Sequence, residues 1–553
     1  MSHPALLVIG GVAAGTKAAV KAKRENPHWQ VTILTRDQHI SYAGCGLPYY
    51  LSGVIDEERE LLVRSPEDFK SNYDIDILIR HEVADILPDQ KRVLAEDLAT
   101  GERKEYPYDK LIIATGAYPV LPPIPNIQLA NIYTLRKVTD GSFIRQLIDR
   151  GNVKQAVVIG GGLIGLEVAE NLAHRGIKTV IVELADHVLA PFDPEMALKI
   201  QSHLIEQGVE LRLGSKVTGF LDQGQGKVAA VETSAGNIPA DLVVVSTGIR
   251  PNVELAARAG VALGSTGAIQ VNAHMQTNLP DIYAVGDCAE VTHLVSNQAA
   301  WMPMGSIANK AGRVAGANAV GENRASLPGA LGTAIVKVFK MAAGKTGLTE
   351  KEARSQGYNI ETVLVPSLDK AHYYPGSRQL LVKLVAEKSS HRLLGGQVVG
   401  EGAIDKTVDI LATAISLKAR VEDLSAMDLA YAPPFSSAMG PTILTANVML
   451  NKLTGKFRGV SPFALADRLA AGASIIDVRS PEEYILYSIP GSTSIPGERL
   501  TERLKDRPRS EEIILICKVG LRAYVASLKL KNMGFTNVSI LDGGIVGYPF
   551  ELQ

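Results

Sequence analysis

The chain has 553 residues, of which 46% are hydrophobic and 21% charged, and its formal net charge is −1. This length predicts several domains, and the balanced charge gives no sign of a nucleic-acid partner. A run of about eighteen apolar residues, as a membrane span needs, is missing, and the first residues read as a strand and not as a signal peptide, so we expect a cytoplasmic protein.

The first segment predicts a strand, a glycine-rich turn and a helix that together bind a dinucleotide. An apolar run at 5–9 leads into Gly10 and Gly15, whose spacing permits a tight turn and close packing of the helix on the strand. Val12 occupies the middle glycine position, and Thr35 stands where an acidic residue commonly binds a ribose hydroxyl. The segment therefore predicts a dinucleotide site that departs from the usual pattern.

A second unit of the same kind follows later in the chain and has the complete pattern. The apolar run at 156–159 leads into Gly160, Gly162 and Gly165, and Glu183 closes the next predicted strand. An acidic residue at that position accepts hydrogen bonds from the 2′-hydroxyl of an NAD ribose. Because no Arg follows immediately to bind a 2′-phosphate, we expect NADH to be preferred, with NADPH possible.

Three further segments connect and follow these units. The strands predicted at 110–114 and 241–246 both end in Thr-Gly, the first of them at Thr115 and Gly116, and Asp287 closes an apolar segment at 279–287. From about residue 334 the pattern changes to mixed strands and helices.

This arrangement resembles the pyridine nucleotide–disulfide oxidoreductases over residues 1 to about 450. The resemblance implies that the first unit binds FAD and the second NAD(P)H, that Asp287 contacts the flavin's ribityl or phosphate groups, and that the mixed region forms a homodimer interface. The expected FAD-binding residues are Gly10, Gly15, Thr115, Gly116 and Asp287.

The predicted fold class is α/β, with two Rossmann-like domains, an α+β dimerisation domain and a further C-terminal α/β domain. The expected boundaries are 1–117 with 246–330 for FAD, 118–245 for NAD(P)H, 331–450 for dimerisation, 451–460 for a linker and 461–553 for the last domain.

Cys45 is the candidate redox residue. It lies between Gly44 and Gly46, and Pro48 suits a first helical turn, which would place the sulfur near a helix N-terminus and favour the thiolate. The remaining cysteines lie far away in the sequence. We therefore expect Cys45 to pair with an external thiol or to cycle through a sulfenic acid.

The residues around Cys45, together with 62–66, resemble coenzyme A disulfide reductases, in which one cysteine forms a mixed disulfide with CoA. Three basic residues spaced at i, i+4 and i+7 share one helix face and could bind the phosphates of CoA. The candidate CoA contacts are Lys17, Lys21, Arg24 and Ser41.

Two tyrosines act on the substrate thiol from the other subunit in the same subfamily. Tyr373 and Tyr431 are the best matches, and a phenol can donate a proton to a leaving thiolate as a weak acid. Packing at a subunit interface is the alternative role for both.

The C-terminal segment contains a second candidate sulfur site at Cys517, which follows the apolar run at 513–516 and precedes a predicted helix. Backbone N–H groups in such a loop stabilise a thiolate or persulfide anion. Lys518, Gly520 and Arg522 complete the loop, and the segment resembles a single rhodanese domain.

Together these features predict a reductase that uses FAD, NADH and coenzyme A to break sulfur–sulfur bonds in small thiol or persulfide substrates, with no metal. Cys45 would pair with CoA, and Cys517 would handle sulfane sulfur. Three alternatives stay open: an NADH oxidase or peroxidase with a Cys45 sulfenic acid, a sulfur carrier or redox sensor that uses Cys517, and, more distantly, a ferredoxin-type reductase.

Overall fold

The computed structural model describes residues 3–222 and 224–553, which form two compact units. The first unit runs to Asp186 and resumes at Gly208–Gly332, and the second combines His187–Gln207 with Thr333–Gln553. The segment His187–Gln207 lies inside the range expected for NAD(P)H binding, yet it packs with the second unit. None of the helices in the described residues is long and apolar enough to cross a membrane.

The described residues 3–207 form eleven strands and six α-helices, and the last helix belongs to the second unit. The strands are β1 (Ala5–Ile9), β2 (Gln30–Leu34), β3 (Ile75–Leu78), β4 (His81–Leu87), β5 (Arg92–Asp97), β6 (Arg103–Pro107), β7 (Lys110–Ile113), β8 (Ala117–Pro119), β9 (Ile132–Tyr133), β10 (Gln155–Ile159) and β11 (Lys178–Val182). The helices are α1 (Ala13–Glu25), α2 (Leu47–Ser52), α3 (Pro66–Tyr73), α4 (Val138–Asp149), α5 (Leu163–His174) and α6 (Pro194–Glu206).

The first unit is completed by residues 208–332. Its strands there are β12 (Glu210–Arg212), β13 (Val217–Asp222), β14 (Val228–Thr233), β15 (Gly236–Pro239), β16 (Leu242–Val245), β17 (Ile249–Pro251), β18 (Ile282–Ala284), β19 (Val291–Thr292) and β20 (Ala299–Ala300). Its helices there are α7 (Glu254–Arg258) and α8 (Gly305–Val320).

Two five-stranded sheets organise the first unit, in the orders β18-β7-β1-β2-β3 and β12-β11-β10-β16-β9. Every neighbouring pair in both sheets is parallel. Both sheets therefore present the carboxyl ends of their central strands at one edge, which is where open parallel sheets bind nucleotides. Helices α1 and α8 pack closely against each other, since a Cβ on Gly316 would lie 2.2 Å from the Ala18 carbonyl oxygen.

The second unit contains ten further strands and nine further α-helices. The strands are β21 (Ala334–Val338), β22 (Met341–Gly347), β23 (Ile360–Leu368), β24 (Gln379–Glu387), β25 (Leu393–Gly400), β26 (Gly459–Val460), β27 (Ser474–Asp477), β28 (Thr493–Ser494), β29 (Ile513–Ile516) and β30 (Val538–Leu541). The helices are α9 (Glu350–Ser355), α10 (Ile404–Ser416), α11 (Val421–Ser425), α12 (Pro441–Leu453), α13 (Leu465–Ala470), α14 (Pro481–Leu486), α15 (Leu500–Arg503), α16 (Leu521–Asn532) and α17 (Gly544–Gly547).

Two sheets also organise the second unit. An antiparallel sheet has the order β21-β22-β25-β24-β23, and a parallel sheet has the order β26-β30-β29-β27-β28. Strand β29 is buried along its whole length and leads directly to Cys517. The segment expected to be a linker holds the end of α12 and strand β26, so half of its residues belong to regular elements.

A buried ion cluster joins helix α6 to the antiparallel sheet. The side chain of Lys383 is 2% exposed, and its Nζ lies 3.0 Å from Asp193, 2.5 Å from Glu195 and 2.8 Å from Glu350. Burial opposes the charge on Lys383, but the three carboxylates outweigh it and raise the pKa of the ammonium group. The cluster explains why residues 187–207 belong to the second unit.

Replacing this ammonium group is expected to destabilise the second unit. We expect Lys383→Met to lower the free energy of unfolding by about 3–5 kcal/mol, because three carboxylates would stay buried without a counter-charge. The control is Lys388→Met, since Lys388 is 47% exposed in its ion pair with Glu361 and should contribute less than about 1 kcal/mol. Urea unfolding of both variants measures the difference, and equal stabilities would contradict the role of the cluster.

Candidate active site

The turn after β1 leaves no room for side chains at its first and last glycines. Gly10 has φ +115°, and a Cβ there would lie 2.1 Å from the carbonyl oxygen of Ala114. A Cβ on Gly15 would lie 1.9 Å from the carbonyl oxygen of Gly10. The helix α1 therefore starts directly against the strand, with its N–H groups free to bind a pyrophosphate.

The turn after β10 repeats this geometry and adds an acidic group. A Cβ on Gly165 would lie 2.0 Å from the carbonyl oxygen of Gly160, whereas the space beside Gly162 is open. Glu183 follows β11 and accepts hydrogen bonds from the N–H of Gly161 at 2.6 Å and of Ala185 at 2.9 Å. The residues present therefore fit a nicotinamide dinucleotide, with the carboxylate placed beside the glycine turn.

Thr35 stands where the first dinucleotide unit would usually have an acidic residue for the ribose, and the nearby Asp37 could supply the carboxylate instead. Thr35 is buried, but Asp37 forms an ion pair with Lys137. Both charged residues line a cavity of about 360 Å³ at the end of β2. The other residues of the cavity are Arg36, Gln38, Arg80, Leu98 and Thr139. A carboxylate is thus available two residues beyond the position where the sequence pattern puts it.

Arg136 is a residue of this region that sequence reasoning missed. A Cβ on Gly116 would lie 3.1 Å from its Nη2, and its charge opposes the rise that burial causes in the pKa of Asp287. Thr115 donates a hydrogen bond to the carbonyl oxygen of Asn252 at 2.7 Å. The structure thus brings Gly116 and Asp287 together around one guanidinium group, which suits the phosphates of FAD.

Cys45 lies in a short turn, Gly44–Gly46, directly before α2, and its side chain is exposed. The sequence analysis predicts that this setting favours the thiolate. That prediction is wrong when the protein's own groups are considered, because together they raise the pKa of Cys45. The surrounding protein withdraws water from the sulfur and raises the pKa of Cys45, and the carboxylates of Glu167 and Asp287 raise it further. A backbone hydrogen bond at Cys45 opposes this rise but does not cancel it.

Glu167, on helix α5, is a second residue that the sequence analysis missed. Burial and the neighbouring Glu170 raise the pKa of Glu167 to about 7, against a hydrogen bond with Tyr49 that lowers it. Burial and the same carboxylates raise the pKa of Tyr49 to about 12. A proton can therefore be held or released at Glu167 close to neutral pH, within electrostatic reach of Cys45.

The basic face of α1 is part of a larger cationic cluster. Arg24 and Arg64 both contact Tyr73, with their guanidinium carbons 5.4 and 5.3 Å from the ring centre. Arg64 donates a hydrogen bond to the Tyr73 hydroxyl at 2.7 Å and lowers its pKa. Lys17 is exposed on the same helix, whereas Lys21 pairs with Glu25. Arg64 lies in the segment 62–66 that carries part of the resemblance, but neither Arg64 nor Tyr73 is among the predicted CoA contacts.

Ser41 precedes the Gly44–Gly46 turn that carries Cys45, and its backbone has a left-handed conformation with φ +46°. Its N–H donates to the carbonyl oxygen of Gly11 at 2.8 Å, and its carbonyl oxygen accepts from the N–H of Val63 at 2.9 Å. The backbone of Ser41 thus connects the glycine turn to the segment that carries Arg64.

Tyr373 and Tyr431 lie together in the second unit. The hydrogen bond between the two phenols, in which Tyr373 holds its proton toward Tyr431, is the largest cause of the raised pKa of Tyr373. The side chains are 64% and 51% exposed, so both hydroxyl groups are accessible on this chain. The structure thus joins two segments that are far apart in sequence into one pair of phenols.

Cys517 lies in the loop between β29 and α16 and is 1% exposed. The N–H of Gly520 donates to its sulfur at 3.1 Å. Arg522 forms a bidentate pair with Glu483 at 2.5 and 2.8 Å, so part of its charge is offset by that carboxylate. The loop can stabilise an anionic sulfur chiefly through its backbone.

Cys288 is buried like Cys517, but its hydrogen bonds differ from those of the other two cysteines. It is fully buried, and its thiol donates to the carbonyl oxygens of Val285 at 3.3 Å and Ile113 at 3.6 Å. Burial raises its pKa, so it stays a neutral thiol with a packing role.

Comparison with known families agrees with this geometry. The family described as pyridine nucleotide-disulphide oxidoreductase matches residues 4–304, and its dimerisation domain matches residues 333–443. A rhodanese-like domain matches residues 461–549. The chain therefore belongs to the pyridine nucleotide-disulphide oxidoreductase family, whose members depend on FAD and NAD(P)H, and it carries a C-terminal rhodanese-like domain. The predicted fold class and family are confirmed.

One curated relative and two solved structures show which kinds of family member the chain is similar to. The chain is 37% identical to a CoA-dependent NAD(P)H sulfur oxidoreductase of Pyrococcus furiosus, over 81% of this chain and 100% of the relative. An NAD-dependent persulfide reductase from A. fulgidus superimposes with a TM-score of 0.92 at 40% identity, covering 98% of this chain and 100% of the other. The reduced CoADR-RHD protein of Bacillus anthracis superimposes with a TM-score of 0.95 at 36% identity, covering 99% of this chain and 98% of that one.

The charge near Cys45 gives a prediction for its reactivity. We expect Glu167→Gln to lower the pKa of Cys45 and to speed its alkylation at pH 8, because a negative charge that opposes the thiolate is removed. The rate of iodoacetamide labelling against pH, in a Cys517→Ser background with FAD bound, measures the shift. Asp56→Asn is the control, because that carboxylate is 81% exposed and is not among the charges that act on Cys45. Equal alkylation profiles for all three proteins would contradict the assignment.

Proposed function

We propose that this chain is an NAD(P)H- and FAD-dependent reductase of sulfur–sulfur bonds that works on CoA-linked disulfides and persulfides. The observation that carries the proposal is the solitary position of Cys45. Among the described residues all three cysteines are free thiols. Of the two cysteines in the first unit, Cys45 is exposed and Cys288 is buried. An exposed redox cysteine without an internal partner is suited to a mixed disulfide with a small soluble thiol.

CoA is the external thiol that the surroundings of Cys45 favour. The relatives from Pyrococcus furiosus and A. fulgidus are named for CoA dependence and for persulfide reduction, respectively. In this chain, Lys17, Arg24 and Arg64 provide cationic groups for the phosphates of CoA. Tyr73 holds both guanidinium groups of that cluster in place through its ring and hydroxyl.

Cys517 and Cys45 can act in successive sulfur-transfer steps in which each bond that forms replaces a bond that breaks. The Cys517 thiolate takes the outer sulfur of a donor such as thiosulfate, which forms a persulfide and releases sulfite. The CoA thiol takes that outer sulfur and becomes CoA persulfide, while Cys517 returns to its thiol. The Cys45 thiolate then attacks the CoA sulfur, forms a Cys45–CoA disulfide and releases hydrosulfide.

Reduction of the Cys45–CoA disulfide restores both thiols. NADH and one proton would supply the two electrons and two hydrogens, and the FAD site would supply the electron transfer from NADH to the disulfide. Glu167 can exchange a proton with the region of Cys45 near neutral pH. Tyr373 and Tyr431 are candidate proton donors to the CoA thiolate in a homodimer, as the dimerisation domain at residues 333–443 supports.

Serine variants of the two cysteines test the division of tasks. We expect Cys45→Ser to lose NADH-driven reduction of CoA disulfide while retaining FAD, because the acceptor sulfur is gone. We expect Cys517→Ser to reduce CoA disulfide normally but to lose thiosulfate-driven NADH oxidation in the presence of CoA. Steady-state absorbance of NADH measures both reactions, and the flavin spectrum checks cofactor content. Mass spectrometry of the untreated protein should show a CoA-sized adduct on Cys45.

Two outcomes would overturn this function. Full reductase activity of Cys45→Ser would remove Cys45 from the reaction. Rapid NADH consumption with oxygen or peroxide, independent of any thiol and faster than with CoA disulfide, would instead indicate an oxidase or peroxidase that uses a Cys45 sulfenic acid.

The cationic cluster gives a separate prediction on substrate binding. We expect Arg64→Gln to raise the KM for CoA disulfide about tenfold with little change in kcat, since a charge-assisted contact contributes about 1.5–3 kcal/mol at most. Arg59→Gln is the control, because Arg59 is 81% exposed and pairs with Glu57. Initial rates at low and high salt measure the effect, which should shrink with added salt. A KM equal to that of the control would contradict CoA binding at the cluster.

A further inference from the structure

A buried ion pair connects the rhodanese-like domain to the rest of the second unit. Lys452, in the last turn of α12, has its Nζ 2.8 Å from Asp542 and 3.2 Å from Glu361, and it donates to the carbonyl oxygen of Thr362 at 2.7 Å. The side chains of Lys452 and Asp542 are 8% and 11% exposed. One ammonium group thus joins helix α12, strand β23 of the antiparallel sheet and the loop after β30.

The space around this ion pair is filled. A Cβ on Gly459 would lie 2.2 Å from Asp542 Oδ1 and 2.6 Å from Lys452 Nζ. Burial opposes the charge on Lys452, but Asp542 and Glu361 outweigh it and raise the pKa of the ammonium group. Burial also raises the pKa of Asp542, although the Lys452 charge opposes that rise. The contact is therefore a short, backbone-enclosed contact between two buried groups, and its geometry fixes their positions.

The loop that carries Cys517 is bonded to the residues directly after Asp542. The N–H of Ile545 donates to the carbonyl oxygen of Cys517 at 3.0 Å, and the N–H of Val546 donates to that of Lys518 at 3.1 Å. A Cβ on Gly544 would lie 2.5 Å from the carbonyl oxygen of Cys517, so α17 touches the loop backbone directly. On the other side of α17, a Cβ on Gly547 would lie 3.0 Å from the Leu364 side chain in β23.

These contacts form one continuous connection from the antiparallel sheet to the sulfur loop. We propose that Lys452 is a positioning residue for sulfur transfer, which holds Asp542 and α17 on strand β23 and so keeps the Cys517 loop in a fixed place on the dimerisation sheet. The inference rests on the proposed function, because a fixed loop matters when the persulfide must be passed on to CoA at a second site. Lys452 touches no reacting atom, so its effect is on where the sulfur is presented.

Three variants separate positioning from folding. Lys452→Met removes the charge and keeps a long side chain, and Lys452→Arg keeps the charge. Lys388→Met is the matched control, because Lys388 pairs with the same Glu361 from an exposed position. All three are made in the full-length protein with FAD bound, so that both units are present.

Three reactions and one exchange measurement are compared across these variants. In Lys452→Met we expect thiosulfate-driven NADH oxidation with CoA to fall by about tenfold to a hundredfold, as a small misplacement of a reacting group can cost. Transfer of sulfur from thiosulfate to cyanide, which needs only Cys517, should stay near wild type, and so should NADH reduction of CoA disulfide. Amide hydrogen exchange should rise in residues 517–521 and 541–547. Lys452→Arg should restore most of the loss, and Lys388→Met should match wild type in every measurement.

Several results would overturn the inference. One is unchanged hydrogen exchange in both segments of Lys452→Met, and another is unchanged thiosulfate-driven NADH oxidation in an active enzyme. A parallel loss of cyanide transfer would show that Lys452 supports the local fold of the Cys517 loop and does not position it. If the wild type itself shows no thiosulfate-driven NADH oxidation, the proposed route through Cys517 fails, and hydrogen exchange still decides whether Lys452 holds the loop.

Discussion

The contact on which the first unit depends is the closeness of helix α1 to strand β1 at the glycine turn. With the Cβ position of Gly15 only 1.9 Å from the Gly10 carbonyl oxygen, any side chain would push the helix away from the strand. That closeness places the helix N-terminus at the carboxyl edge of the sheet, where a pyrophosphate binds. It also sets the direction of α1, whose exposed face carries Lys17 and Arg24. Cofactor site and cationic cluster therefore share one helix.

The environment of Cys45 shows how the chain controls a reactive sulfur. Its thiol is accessible, but partial burial and then the charges of Glu167 and Asp287 raise its pKa, which opposes the thiolate. A free thiol with a raised pKa is less prone to oxidation before it forms a mixed disulfide, because its reactivity follows the thiolate fraction. Cys517 has the opposite arrangement, because its sulfur is buried and accepts a backbone N–H. The two sulfur atoms thus differ in access and in hydrogen bonding.

Much of this could be read from the sequence, for local reasons. The glycine turns, Glu183 and the loop at Cys517 depend on neighbouring residues, so their spacing alone predicts them. Arg136, Glu167 and Tyr73 could not be found that way, because each reaches its site from a separate segment. The wrong expectation of a Cys45 thiolate has the same origin, since Glu167 belongs to another helix. Likewise, the ammonium group that draws helix α6 into the second unit lies far along the chain, in β24.

The second unit consists of two chain segments that are separated in sequence by residues 208–332 of the first unit. This order has a consequence for synthesis on the ribosome. Helix α6 emerges early, carrying Asp193 at its start and Glu195 in its first turn, and both carboxylates are buried in the finished protein. Their counter-ion, Lys383, emerges only after the whole remainder of the first unit has been translated. During that interval α6 has no neutralising partner in its final environment, so it must stay hydrated. Helix α6 therefore cannot reach its buried, neutralised position until strand β24 has been synthesised.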